Sequence, residues 1–361
     1  MVVKYFRKAY TRFATYIYDI PPRMLAFLLI IIFALLPVAQ LDVYTLTLLA
    51  SANVMAIFAA SWDLLVGRTG QISLGHSVFY GAGAYGAAAL FQSFGWPFWM
   101  TIPVSILISA GIALLIGFPC LRVKGPYLAL VTMSIPLVIA YFLSYFSEIS
   151  GGQHGLPLEG LLPELFPGLA FADKLKANYY LTLSLMAISA IILYKIANSK
   201  TGVTFVSILD DELASKACGI NVTKYKLMAF VISGAFASLA GCITAYIYRS
   251  ATPPFFDLSI SITPLVVTIL GGIGTIYGPL FGTYIYFFLD GYVLKKIIPV
   301  ASWQYFGLKW EYAKLLIFVV IVVIFIIKWP RGIAKGTVEK LEDLEEAREI
   351  EEIEKKGDKT E

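Results

Sequence analysis

The reading of the chain turns on Trp62 to Leu90, WDLLVGRTGQISLGHSVFYGAGAYGAAAL. An acid, Asp63, stands at the end of a long apolar run, and the chain then turns through Gly67, Arg68, Thr69 and Gly70. Gln71, Ser73 and His76 follow, and after them come small residues: Gly81, Ala82, Gly83, Ala84, Gly86, Ala87, Ala88 and Ala89. Large apolar side chains fill space, whereas Gly and Ala let backbones approach closely. In lipid, polar groups and irregular backbone are tolerated only where protein or water surrounds them. The stretch is read as a turn leading into a helix packed on other helices beside a hydrated path.

Outward from that stretch the chain is apolar. Of its 361 residues, 58% are hydrophobic and only 14% charged, against about 25% charged in soluble domains. Uncharged runs cover Met24 to Gln40, Val43 to Trp62, Thr69 to Leu121, Gly125 to Ser147, Ala177 to Tyr194, Leu227 to Tyr248, Leu258 to Leu289 and Leu315 to Ile327. A helix needs about 20 apolar residues to cross the hydrocarbon. Thr69 to Leu121 is therefore two spans broken at Gly95-Trp96-Pro97, and Leu258 to Leu289 is two broken at Gly271, Gly272 and Gly274.

The fold class is an all-α integral membrane protein of about ten transmembrane helices, some short or Gly-interrupted. The expected spans are 24–40, 43–66, 70–94, 98–120, 126–147, 178–196, 227–248, 258–273, 276–294 and 312–328. Segment 1–23 carries Lys4, Arg7, Lys8, Arg12 and Arg23 against Asp19 alone. Basic flanks stay on the cytoplasmic side, which places both termini inside. No cleavable signal peptide is read, and 24–40 is taken as a retained first span. The loop 148–177, acidic and rich in Gly and Pro, is placed outside. The Lys-containing segment 295–314 also falls outside, the weakest fit to that rule. Residues 336–361 hold 11 acids and 5 bases and read as a solvated cytoplasmic tail with no binding role.

The longest polar stretch between spans, 199–226, is expected inside. Thr204 to Cys218 suits one amphipathic helix, with Phe205, Ile208, Leu209 and Leu213 on one face and Asp210, Asp211, Glu212 and Lys216 largely on the other. Gly219 supplies its stop. The sequon Asn221-Val222-Thr223 carries no glycan if the loop is cytoplasmic.

Several chemistries are excluded. Gly81-Ala82-Gly83-Ala84-Tyr85-Gly86 satisfies G-x-G-x-x-G, but no strand precedes it and no acid follows at the spacing a dinucleotide needs, so it reads as helix packing. No P-loop occurs. Cys120, Cys218 and Cys242 are scattered, and His76 and His154 are too far apart for a zinc motif. No catalytic set is recognised, so the chain is not read as an enzyme and no cofactor is expected. The spans hold almost no acids, which counts against a proton-coupled transporter. Asp63 and Asp290, near span ends, read as solvated or helix-end residues. The glycine turns after the second and eighth spans fit a parallel repeat with a path between them.

Six ordered blocks resemble the permease subunits of branched-chain amino-acid ABC importers, the LivM-type member of the pair. They are Gly70 to His76 with Tyr80 to Tyr85, Arg122 to Thr132 (RVKGPYLALVT), Ser150 to Leu156 (SGGQHGL), Asp210 to Val222 (DDELASKACGINV), Leu270 to Pro279 (LGGIGTIYGP) and Pro330-Arg331-Gly332. The resemblance covers residues 25–335. It implies a permease domain over 24–335 and a coupling loop carrying Asp210, Asp211, Glu212, Ala214, Lys216, Gly219 and Ile220. The loop departs from the ABC-importer pattern E-A-A-x-x-x-G, because Glu212 and Gly219 stand one residue further apart. The implied partners are a second homologous permease, two cytoplasmic ATP-binding subunits and an extracytoplasmic amino-acid-binding protein, in the lipid of a prokaryotic plasma membrane. No nucleic acid is implied. Asn53, Trp62, Gln71, Ser73, His76, Gly81, Gly83, Gly271, Gly272 and Gly274 are assigned to the translocation path or the permease interface. For His76, bonding at the broken hairpin is an equal alternative. Urea or short-amide import is the alternative within the class. An ATP-independent channel or facilitator is the alternative outside it.

Overall fold

A computed structural model describes residues 42–123, 125–160 and 171–291, with positions 319–320, 322–325 and 327–328. The expected first span, the basic N-terminal segment, most of the tenth span and the acidic tail lie outside the described residues. The elements below belong to one unit of the chain, residues 43–335.

The order is α1 (Val43–Thr69), α2 (Ser77–Phe94), α3 (Phe98–Cys120), α4 (Pro126–Tyr145), a single turn α5 (Ser147–Ser150), β1 (Leu156–Pro157), α6 (Phe171–Ala197), α7 (Lys200–Asp210), α8 (Glu212–Ala217), α9 (Val222–Tyr248), β2 (Ser250–Ala251), α10 (Leu258–Gly271) and α11 (Tyr277–Phe287). Among the described residues, five helices are long and apolar enough to cross a membrane: Val43–Thr69, Phe98–Cys120, Tyr127–Tyr145, Asp173–Ala197 and Val222–Tyr248. With α10 shorter but also apolar, the chain is an all-α multi-pass membrane protein. The two short strands pair antiparallel, Leu156 with Ala251 and Pro157 with Ser250. They tie the segment after α4 to the end of α9.

The glycine run forms the tightest crossing. α9 lies along α2 and α3. A Cβ on Gly83 would stand 2.1 Å from the Ser238 carbonyl oxygen, and one on Gly241 would stand 1.8 Å from that of Tyr80. Either methyl would force the backbones apart, so only glycine permits this approach. The G-x-G-x-x-G stretch is thus a helix contact. Ala84, Ala87, Ala88, Cys242 and Ala245 fill the crossing. The centre of the molecule is held by the fully buried Trp62, Phe58, Phe79 and Phe230.

Three expectations are corrected. The third span does not start at residue 70: Gly70 to Gly75 is non-helical and α2 opens at Ser77. Side chains satisfy that irregular backbone, since the Trp62 indole N–H donates to the Ser73 carbonyl at 2.9 Å and the Leu74 N–H donates to Thr132 Oγ1 at 3.2 Å. The amphipathic segment 204–218 is two helices, because Asp211 leaves the helical region (φ −152°, ψ 108°) to cap α8. Asp63 is not a solvated helix-end residue; it is fully buried.

Candidate functional site

Two features answer the expectations about function: the α7–α8 loop, and the pair of glycine turns that follow α1 and α10.

In the loop, Asp211 Oδ1 accepts from the N–H groups of Leu213 and Ala214 at 2.8 and 3.0 Å. This satisfies two of the orphan donors that any helix start exposes. The other end of α8 closes just as fully. The Ile220 N–H reaches the Ser215 carbonyl at 3.1 Å and the Gly219 N–H reaches that of Lys216 at 3.0 Å. That pairing is the Schellman motif, which needs a left-handed residue between, and Gly219 supplies it at φ +83°. The Ser207 and Ser215 hydroxyls meet at 2.8 Å and fold α8 back on α7.

Glu212 fastens this small unit to the bundle. Oε1 accepts from Lys216 Nζ at 2.8 Å and Oε2 from Lys226 Nζ, on α9, at 2.7 Å. The two ammonium hydrogen bonds, Lys216 first, hold the Glu212 carboxyl well below the usual carboxylate range, at about 2. The outer side of α8 is left open. Leu213 is 74% exposed, and Ala214, Lys216, Ala217 and Cys218 are exposed beside it. Leu213 is therefore not on the packed face where periodicity put it, and Leu209 is 42% exposed, whereas Phe205 and Ile208 are buried.

Behind the loop, Leu209 packs on the turn after α1: a Cβ on Gly70 would stand 2.9 Å from Leu209 Cδ1. A cavity of about 280 Å³ opens between them, walled by Gln71, Leu128, Ile208, Glu212 and Lys226.

The turns themselves are bonded together. Asp63 Oδ1 accepts from the Gly274 N–H at 2.6 Å and Oδ2 from the Ile276 N–H at 3.0 Å. Gly274 sits at φ +83° and Gly272 at φ +121°. Thr275 closes the second turn, donating to the Gly272 carbonyl and accepting from the Gly278 N–H, both at 2.9 Å. Gly271 lies against Gly278, where a Cβ would stand 1.7 Å from the carbonyl oxygen.

The remaining residues assigned to a path are inside the subunit. Trp62, Ser73 and His76 are buried, and Gln71 is 8% exposed. His76 Nε2 lies 3.0 Å from the Ser233 hydroxyl and 3.4 Å from that of Ser61. Its Nδ1 and the Ser73 hydroxyl are buried without a hydrogen-bond partner. Asn53 donates to Thr182 Oγ1 at 3.2 Å and accepts from the Tyr284 hydroxyl, joining α1 to α6 and α11. Gly81 faces the Phe256 ring.

Sequence reasoning missed Lys226, Ser233, Thr182 and Ile276. Only Lys226 leaves a trace in one sequence, as the lysine that immediately precedes the uncharged run Leu227 to Tyr248. The others are ordinary residues whose partners are far away along the chain.

Comparison with known proteins agrees with this architecture. The sequence model of the family described as "Branched-chain amino acid transport system / permease component" matches residues 44–325. A high-affinity branched-chain amino acid transport system permease protein LivM of Salmonella typhimurium is 30% identical over 258 residues, 65% of this chain and 59% of that protein. A probable branched-chain amino acid transport permease protein LivH of Methanocaldococcus jannaschii is 24% identical over 244 residues, 65% of this chain and 75% of that protein. LivH of Escherichia coli is 23% identical over 307 residues, 79% and 93% respectively. The chain thus spans about three fifths of the length of the LivM relatives it matches. No solved structure matches. With a family match running from the start of α1 to beyond α11, this chain belongs to the branched-chain amino acid transport permease family.

Proposed function

We propose that this chain is the membrane-spanning permease subunit of an ABC importer for branched-chain amino acids. It has ten spans with both termini cytoplasmic, in the plasma membrane of a prokaryote. It works with a second homologous permease, two cytoplasmic ATP-binding subunits and an extracytoplasmic amino-acid-binding protein. It hydrolyses nothing itself. The observation that carries the reading is the construction of α8: capped at both ends, fastened on one side by Glu212 to Lys226, and bare on the other at Leu213. A short helix fixed to a span with an open apolar face suits the groove of a soluble partner. Movement of that partner on ATP binding then switches access by tilting the attached helices.

Family relatives named for branched-chain amino acid transport support the substrate class. Gln71, Ser73 and His76 are assigned to the wall of the path, or of the permease contact, that opens when the turn after α1 moves. The test is uptake of labelled leucine by the complex that co-purifies with this chain, reconstituted with ATP. Competition by valine and isoleucine supports the proposal. Competition by urea or acetamide alone identifies amide import, and uptake unchanged by ATP identifies a facilitator.

A further inference from the structure

Asp63 and Gly67, four residues apart, lie on one face of the end of α1, and Gly70 (φ +68°) follows just past its last residue, Thr69. Gly70 lies against Leu209 of α7, where a Cβ would stand 2.9 Å from Leu209 Cδ1. The Asp63 and Gly67 face meets the turn between α10 and α11. A Cβ on Gly67 would stand 2.6 Å from the Gly274 nitrogen and 2.8 Å from its Cα, so the two backbones touch. Both Asp63 oxygens receive N–H groups of that turn, at 2.6 and 3.0 Å.

The second of those N–H groups belongs to Ile276, which has φ +61°. A β-branched residue there is a genuine outlier. Such strain persists only where surrounding contacts over-determine it, and it gathers at functional sites. Ile276 is held on both sides. Its side chain is buried among Ala60, Leu64, Leu193 and Ala197, and its backbone is bonded by Asp63.

We propose that Asp63 links the two glycine turns, so that displacement of the α7–α8 loop against Gly70 reaches the α10–α11 turn. Asp63 is then a positioning residue for the transport cycle, a role that rests on the importer reading above. The α10–α11 turn follows as a unit, because Thr275 closes it and Gly271 packs on Gly278. The end of α1 is the element shared between Gly70 and the α10–α11 turn.

The test uses the assembled complex in vesicles and reads labelled leucine taken up per ATP hydrolysed. Wild-type complex is measured first; if it shows no ATP-driven uptake, the importer reading fails and not this inference alone. Asp63→Asn keeps the shape of the side chain but removes its charge and one acceptor. Uptake per ATP is expected to fall about tenfold or more while ATP hydrolysis persists, as befits the loss of a charge-assisted contact. Unchanged uptake per ATP overturns the proposal. A second variant separates linkage from shape. Ile276→Ala removes buried contacts of the same turn but keeps its backbone N–H for Asp63, so it is expected to lower thermal stability while uptake per ATP by the folded complex stays near wild type. Equal uncoupling by Ile276→Ala would make Asp63 a support for one turn's shape and contradict the link.

Discussion

Glu212 of α8 and Lys226 of α9 meet at 2.7 Å, and the lysine is almost wholly buried. This contact turns a surface helix into an extension of a membrane-spanning one. In the proposed importer, a push on α8 passes to α9 through this charged hydrogen bond.

Glu212→Gln is expected to loosen α8 by about 1.5–3 kcal/mol, the usual worth of hydrogen bonds to a charged group. Hydrogen exchange in 212–217 reads this directly, and uptake per ATP should fall with it. Unchanged exchange in α8 would show that the serine contacts to α7 suffice.

The same contact sets a pH response. The Glu212 carboxyl titrates at about 2, below its ordinary value near 4.5. A depressed carboxyl stabilises above its unfolded pKa, so its contribution is complete above about pH 4.5 and fades as pH falls towards 2. Protection of the α8 amides should therefore hold from pH 7 to 5 and drop below 4.5. In Glu212→Gln that drop should vanish. An identical drop in the variant would assign the effect elsewhere.

Gly219→Ala forces a side chain into the left-handed region, at a cost of about 1 kcal/mol. Nothing lies within 4 Å of a Cβ there, so the effect is backbone strain alone. Gly219→Asn should recover most of the loss, because asparagine tolerates that conformation. Exchange of the last turn of α8, with ATP-coupled uptake, checks both variants.

Gly83→Val sets a branched side chain against the Ser238 carbonyl, where even a Cβ would stand at 2.1 Å. Overpacking of this kind costs about 1–3 kcal/mol or more. The variant should unfold at lower temperature in detergent, and uptake should fall with the amount of folded protein. Normal thermal stability would mean that α2 and α9 do not cross as closely as described.

Much of the bundle was legible in the sequence. α3 runs from Phe98 to Cys120, as the uncharged run between Trp-Pro and Arg122 predicts. The glycines of α2 announced a tight crossing, and Gly219 announced where the loop helix ends. Two things were hidden. The break at Asp211 was smoothed over because hydrophobic spacing continued across it, although an Asp before Glu is a helix-start signal in its own right. Asp63 was hidden more deeply: its partners lie 211 and 213 residues away, and a single sequence carries no sign of such a pairing. An acid at the end of a greasy run looks like one reaching for water until the turn that covers it is seen.

In the proposed importer, solute moves only when force reaches this chain from outside through α8. The direct measurement is uphill accumulation of labelled leucine in vesicles holding the purified chain alone, beside vesicles holding the co-purified complex with ATP inside the compartment that faces α8. Accumulation is expected in the second preparation and none in the first. Accumulation against a gradient by the chain alone would contradict the proposal.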